Sequence, residues 1–382
     1  MVFAALALFV VSLGYGVVVP LLPTLAGSTT YAAATSLSVV YTLYAAAKIA
    51  AQVPGGAWVD RVGPRRVMRV ALPLYTVSTF GFLGPPDTAW FALCRMVEGA
   101  ATGLVYPAAF AAVLSGEGGP RGTRVGTVVA LGTSGLLLGP ALGGALGAEN
   151  PRIPVAVAAS VAALVTAAAW FVPLPTTGVG TPRTLRGELD LLRRLCVDVG
   201  FLAALLPIAF NKLSYTALQG LLPLYGAEML GLGPRRITAI FALTGIGFGV
   251  AQVAGGWLAD RLRARAVVLV CLVPLLGGLA LMGRPGDVVA FAAGYGVYVL
   301  ASSVVFTATL KHAAETHGSA DTYGGMYGLL GTATDLMTVV GPAVFLNAYR
   351  ARASSAVFTD MAATGLVFAV VFAVAARRRR TP

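Results

Sequence analysis

Long apolar stretches alternate with short polar connections from one end of the chain to the other. The apolar runs fall near residues 1–26, 36–58, 67–84, 90–114, 123–148, 153–172, 199–227, 236–259, 266–282, 287–310, 323–347 and 355–376. A helix needs about 20 residues to span the hydrocarbon core of a bilayer, and each run is near that length. The pattern predicts twelve transmembrane helices, an all-α integral membrane protein. The connections leave no room for a soluble domain. The widest, 173–198, opens with Pro173 and Pro175 and carries RGELDLLRR, which reads as a linker with a short amphipathic helix on the membrane surface. The expected organisation is a six-helix bundle over 1–172, a cytoplasmic linker over 173–198 and a second six-helix bundle over 199–382.

A repeat supports two related halves. AQVPGGAWVDRVGPRR (51–66) returns as AQVAGGWLADRLRARA (251–266), with eight of sixteen positions identical. Each copy joins the end of one apolar run to the start of the next. Paired halves in a membrane chain are a transporter signature.

Composition narrows the class further. The chain is 57% hydrophobic and 11% charged, far below the roughly 25% charge of soluble domains. With both termini in the cytoplasm, inner loops and tail hold 18 of the 27 Lys and Arg, outer loops six and spans three. The net charge of +12 is then a positive-inside signal and a contact with anionic lipid, so the bilayer is a partner. A nucleic-acid role needs those charges on one soluble face, which this distribution excludes. Cys94, Cys196 and Cys271 stand singly and read as small hydrophobes. His312, Glu315 and His317 lie in the loop after the tenth run, with no further ligand at a fitting spacing, so no metal site is expected. No nucleotide-binding loop, nucleophile with its base or cofactor motif is present. The chain reads as no enzyme, without a cofactor, driven by an ion gradient. Met1 leaves almost no tail before the first span, which allows a native start upstream.

The repeated block also has a family likeness. Gly56, Asp60, Arg61, Gly63 and Arg65, and again Gly256, Leu258, Ala259, Asp260, Arg261 and Arg265, resemble the G-x-L-A-D-R-x-G-R-K loop of the major facilitator superfamily. The chain is identified as a member on these residues, which implies two pseudo-symmetric six-helix bundles working by alternating access. The resemblance implies a conformational latch made by Gly56, Asp60, Arg61 and Arg65, with Asp260 and Arg261 as a second copy. The carboxylate would engage nearby arginines and the positive N-terminus of a neighbouring helix. Arg263 replaces the middle glycine in that copy, which weakens the expectation there.

A second motif points to direction. Gly126, Gly135, Gly139, Pro140, Gly143 and Gly144 match G-x8-G-x3-GP-x2-GG at every fixed position, a pattern associated in the family with antiporters. Leu13-Gly14 followed by Pro20 and Pro23 resembles the first helix of the twelve-helix drug–proton antiporters. Glycines at these steps leave a groove where a helix of the other half can press closely, and the proline kinks the span.

Five ionisable residues fall inside spans: Lys48, Arg95, Glu98, Lys212 and Asp335. A charge at mid-bilayer costs at least about 2.5–3.5 kcal/mol on insertion scales, so each needs a partner or a wet cavity. Tyr41, Tyr44, Lys48 and Gln52 share a helical face, as do Arg95, Glu98, Thr102 and Tyr106. Asn211, Tyr215 and Gln219 do the same beside Lys212, and Tyr327, Asp335 and Thr338 on the eleventh run. These stripes are the expected lining of a shared aqueous cavity. Arg95 with Gly99 resembles the R-x3-G element that proton-coupled relatives use in proton transfer. Lys48 and Asp335 are expected to pair across the halves, and either Glu98 or Asp335 is the expected coupling carboxylate.

The reading is a secondary transporter that exports a small organic molecule against protons, working as a monomer in the prokaryotic plasma membrane. The five span charges sum to +1, a lean towards neutral, zwitterionic or anionic cargo. A proton symporter for uptake of a nutrient is the alternative, since only the fifth-span motif argues for export. A receptor or scaffold that carries nothing is the rival from another class.

Overall fold

In lipid a lone segment can satisfy its backbone polar groups only within itself, so each apolar run folds as one continuous helix. The structure, a computed structural model, describes residues 1–25, 31–85, 87–115, 119–147, 150–172, 190, 193–319, 322–352 and 354–377. Twelve long helices follow one another among them: α1 (Val2–Leu25), α2 (Tyr31–Val62), α3 (Pro64–Gly81), α4 (Thr88–Ser115), α5 (Arg121–Gly147) and α6 (Arg152–Phe171) come first. They are followed by α7 (Val199–Glu228), α8 (Pro234–Arg261), α9 (Ala264–Met282), α10 (Val288–His317), α11 (Tyr323–Arg352) and α12 (Ala356–Arg377). No strand occurs among the described residues. Nine of these helices are long and apolar enough to cross a membrane. The other three carry polar groups: α2 has Lys48 and Asp60, α3 opens with three arginines, and α8 has arginines near both ends.

Several helices run past the apolar stretch that predicts them. α10 continues to His317 and α11 to Arg352, because helical hydrogen bonding persists where polar side chains reach water. His312, Glu315 and His317 therefore sit on the last two turns of α10, and the loop expected there is helix. Most of the linker, with Arg183 and Arg186 and the start of its expected amphipathic helix, lies outside the described residues. Residues 193–197 are helical, and Cys196 there is exposed rather than packed as a small hydrophobe. Asp198 then caps α7, accepting from the backbone N–H of Gly200 at 2.7 Å and Phe201 at 3.2 Å.

Contacts divide the chain into two compact units. One holds Met1–Gly118, Thr127–Leu192 and Gly318–Thr332; the other holds Gly119–Gly126, Arg193–His317 and Ala333–Pro382. The first turns of α5 thus belong to the second unit, and the first turns of α11 to the first.

In the first unit α2 packs along α4, and α3 against α4 and α6. Glycines make the α2–α4 approach close: a Cβ on Gly99 would run into the Tyr44 carbonyl, and one on Gly103 would lie 2.6 Å from that of Lys48. In the second unit α9 packs along α10, where a Cβ on either Gly278 or Gly294 would lie 2.6 Å from the other's carbonyl oxygen. Phe210, Tyr225, Phe291, Phe358 and Phe372 fill its interior.

The two copies of the repeated block turn differently. Gly63 takes φ 82° ahead of Pro64, the first residue of α3, a left-handed conformation that suits glycine. At the second turn Leu262 is extended at φ −113° and Arg263 has φ −64°. That turn needs no glycine, so the missing one leaves no defect.

Candidate functional site

The repeated block ends in matching carboxylate sites. In the first unit Gly56 of α2 meets Gly324 of α11 so closely that a Cβ on either would strike the other's carbonyl. One turn on, Asp60 accepts from the backbone N–H of Gly324 at 2.7 Å and Gly325 at 2.6 Å. These are unsatisfied donors at a helix N-terminus, where a carboxylate is favoured. In the second unit Gly256 of α8 meets Gly122 of α5 in the same way. Asp260 accepts from the N–H of Gly122 at 2.7 Å and of Thr123 at 2.6 Å, and from the Thr123 hydroxyl at 2.7 Å.

Arg261 lies with its guanidinium carbon 3.9 Å from the centroid of the Trp257 ring, and the cation beside Asp260 is Lys311 of α10, at 2.9 Å. Lys311 also donates to the Ala259 carbonyl at 2.6 Å and lies 3.3 Å from Glu315. Burial pulls the Asp260 carboxyl up, but the Lys311, Thr123 and Gly122 donors outweigh it and hold the group below its usual value. Arg61 and Arg65 are half-buried at the turn. Lys311 and Thr123 escape a motif search because they lie far from the block in sequence.

Deeper in the first unit, Arg95 donates to Glu98 at 2.6 Å, and both are fully buried. The guanidinium sits among the rings of Tyr44 at 5.2 Å and of Tyr15 and Phe82 at 5.5 Å. Glu98 Oε1 and two of the guanidinium nitrogens, Nε and Nη2, have no hydrogen-bond partner among the described residues. The pair is enclosed by packing rather than exposed on a cavity wall. Thr102 donates to the Glu98 carbonyl at 2.8 Å and is buried with it. Lys48, half-buried, lies over the ring of Tyr106 at 4.6 Å. Tyr327 is buried and stacks on Phe110 at 4.8 Å. Tyr41 lies on α2, with its side chain outside the described residues.

In the second unit Asn211 is buried and donates to the Ser302 carbonyl at 2.7 Å. Lys212 lies over Phe306 at 4.8 Å and Tyr215 stacks on Phe248 at 5.6 Å. Gln219 is exposed and Asp335 half-buried on α11. The structure thus separates the span charges into an enclosed pair, Arg95 with Glu98, and three half-buried groups, Lys48, Lys212 and Asp335. The rings around Arg95 come from α1, α2 and the turn after α3, so periodicity along α4 cannot reveal them.

The glycines of α5 divide between two partners. Gly126 meets the Gln252 carbonyl of α8 in the second unit. Gly135 meets the Phe9 carbonyl, Gly139 meets Gly16, and Gly143 lies against Leu21, all on α1 in the first unit. The expected groove for the other half is therefore occupied by α1 over most of its length. A Cβ on Gly16 of that helix would lie 3.3 Å from Pro140 Cδ. Gly144 lies on α5 with its surroundings outside the described residues. In the second unit Gly341 meets the Leu213 carbonyl of α7, repeating the pattern beside Pro342.

Comparison with known proteins gives a consistent result. A family model described as Major Facilitator Superfamily matches residues 4–342, with a second match over 208–382. Multidrug resistance protein 2 of Bacillus subtilis (strain 168) is 23% identical over 360 residues, 88% of this chain and 85% of that protein. Quinolone resistance protein NorA of Staphylococcus aureus (strain MSSA476) is 24% identical over 250 residues, 63% of this chain and 61% of NorA. Tetracycline resistance protein, class D, of Salmonella ordonez is 24% identical over 360 residues, 87% and 85%. Among solved structures, the human organic anion transporter MFSD10 superposes with a TM-score of 0.81 at 20% identity, over 97% of this chain and 98% of that one. FucP in its outward conformation gives 0.79 at 15% identity, over 100% and 99%.

Proposed function

Because this chain belongs to the major facilitator superfamily, and so is a membrane transporter and not an enzyme, we propose that it exports a small organic molecule in exchange for protons. The observation that carries the coupling is the enclosed Arg95–Glu98 pair, 2.6 Å apart and fully buried. A buried charge is costly unless paired, so the pair resists separation in this state. Protonation of Glu98 removes the charge that compensates Arg95 and leaves the guanidinium to seek another anion. Asp335 is the second candidate for the coupling carboxylate. The direction is supported by relatives whose names are those of multidrug, quinolone and tetracycline resistance proteins, together with the glycine pattern on α5.

In this reading Asp60 and Asp260 are latches, each holding a helix N-terminus through charge-assisted bonds that must break for the conformation to change. Both termini face the cytoplasm, and the protein works as a monomer in the plasma membrane.

Everted vesicles with an interior pH dye test the proposal. Respiration acidifies the lumen, and a panel of drug-like compounds is then added to wild type, Glu98→Gln and Asp335→Asn. Export predicts proton release from the lumen with at least one compound, lost in one of the two variants. Proton movement only with uptake into right-side-out vesicles replaces export with symport.

A further inference from the structure

In the first unit α3 and α6 run antiparallel, so the first turns of α3 lie beside the last turn of α6. The Thr76 and Thr166 hydroxyls meet at 2.7 Å along this seam. At its end Arg69 donates from Nε to the Ala169 carbonyl at 3.2 Å and from Nη2 to the Trp170 carbonyl at 2.9 Å. These carbonyls belong to the last turn of α6, where acceptors lack helical partners and a cation is favoured. The same guanidinium lies over the Trp170 ring, 4.8 Å from its centroid.

A helix cap accounts for that much and no more. Arg66, one turn earlier on α3, is exposed and has no hydrogen bond or ion pair among the described residues. Neither α3 nor α6 carries an acidic residue, so the two helices offer it no anion. Trp170 stays 55% exposed although the guanidinium covers one face of its ring. Further along the Arg66 face of α3, Val70, Leu74 and Val77 are exposed and apolar. The packing scaffold does not demand this cluster. At the offset of the repeated block, Arg66 and Arg69 give way to Ala266 and Leu269 on α9, and α12 has no tryptophan.

We infer that this end of the α3–α6 seam is a binding site for an anionic phospholipid. The lipid phosphate is received by Arg66 and by the Arg69 Nη1 that the cap leaves over. The acyl chains lie on Val70 and Leu74, and the Trp170 ring sits at headgroup depth. A guanidinium presents parallel N–H donors that match phosphate oxygens, and tryptophan is favoured where hydrocarbon meets headgroup. A zwitterionic lipid brings its own ammonium into a face that is already cationic, so it fits less well. The net charge draws anionic lipid to the protein at large, whereas this cluster holds one at a defined place.

The test places the full chain in phosphatidylcholine vesicles that contain a minor fraction of phosphatidylglycerol. Bromine is carried on the acyl chains of that phosphatidylglycerol, or of an equal fraction of the phosphatidylcholine. Bromine quenches nearby tryptophan, and the Trp170 signal is the difference between each chain and the same chain with Trp170→Phe. Brominated phosphatidylglycerol should quench Trp170 as if enriched at least about five-fold over brominated phosphatidylcholine, the contribution of a single basic side chain. Arg66→Gln should remove most of that enrichment, Arg66→Lys should keep it, and neither should move the unfolding midpoint. Equal quenching by the two lipids overturns the inference in the wild type alone, whether or not any variant folds. Enrichment that survives Arg66→Gln overturns the assignment to this cluster. Loss of enrichment on adding excess glycerol 1-phosphate makes this a site for free phosphate and overturns the lipid as its occupant. No cargo or gradient enters the measurement, so its outcome leaves the export reading as it stands.

Discussion

Lys311 Nζ lies 2.9 Å from Asp260 Oδ1, and the position 200 residues earlier, Ala111, carries no charge. The second carboxylate site is therefore braced by a cation that the repeat did not supply. Asp260→Asn leaves the nearly buried Lys311 with the Ala259 carbonyl and, at 3.3 Å, the more exposed Glu315 carboxylate, and is expected to cost about 3 kcal/mol. Lys311→Met added to it should recover part of that loss. A double-mutant cycle on thermal unfolding in detergent should give a coupling energy of about 0.5–3 kcal/mol. Strict additivity of the two changes would mean that the pair contributes nothing.

The pH response of this site follows from the direction of its shift. Donors from Lys311, Thr123 and Gly122 hold the Asp260 carboxyl below its usual value. A depressed folded value means the stabilisation is complete above the unfolded value, about 3.9, and fades only as pH falls through the folded one. The stability gap between wild type and Asp260→Asn should thus stay level from pH 5 to 8. A gap that closes between pH 7 and 5 contradicts this and makes Asp260 a candidate for coupling protons.

Glycines in the helices divide into those that something presses against and those that face open space. Gly256→Ala drives a methyl into the Gly122 carbonyl and should break the crossing of α8 with α5. At Gly277 an added Cβ would meet nothing within 4 Å, so Gly277→Ala should raise stability by about 0.4–1 kcal/mol through the unfolded chain. Thermal unfolding of the two variants should move in opposite directions.

Arg95→Met strands Glu98 without a cation in a site that water does not reach, and is expected to cost about 3–5 kcal/mol. The double variant Arg95→Met with Glu98→Gln should be more stable than Arg95→Met alone. Yield of monodisperse protein and the unfolding midpoint check the order. The reverse order would place a further cation against Glu98.

Much of this architecture is legible in the chain itself. The apolar runs locate all twelve helices to within a few residues at most ends, since a spanning segment must be apolar and helical at once. α2 and α10 run longer because polar ends still form helical hydrogen bonds where they meet water. The block at 51–66 and 251–266 reveals both Asp60 and Asp260, because a carboxylate one turn after a close-packed glycine is a local pattern. What it faces is not local. Gly324, Gly122 and Lys311 lie on other helices, and no spacing along the chain connects them. The α5 glycines show the same limit: the pattern says that something presses there, while Phe9 and Gly16 are found only once the helix is packed against α1.

The turn at Gly63 has one more consequence. Its backbone stands at φ 82°, whereas Arg263 sits in an ordinary region. Replacing Gly63 by arginine would impose strain, yet glycine at 263 would fit without any. Exchange between the two loops is thus permitted in one direction only. A chimera that carries the second loop's sequence at both sites should fold poorly, and one that carries the first loop's at both should not. The halves of this carrier descend from one plan but have ceased to be interchangeable parts.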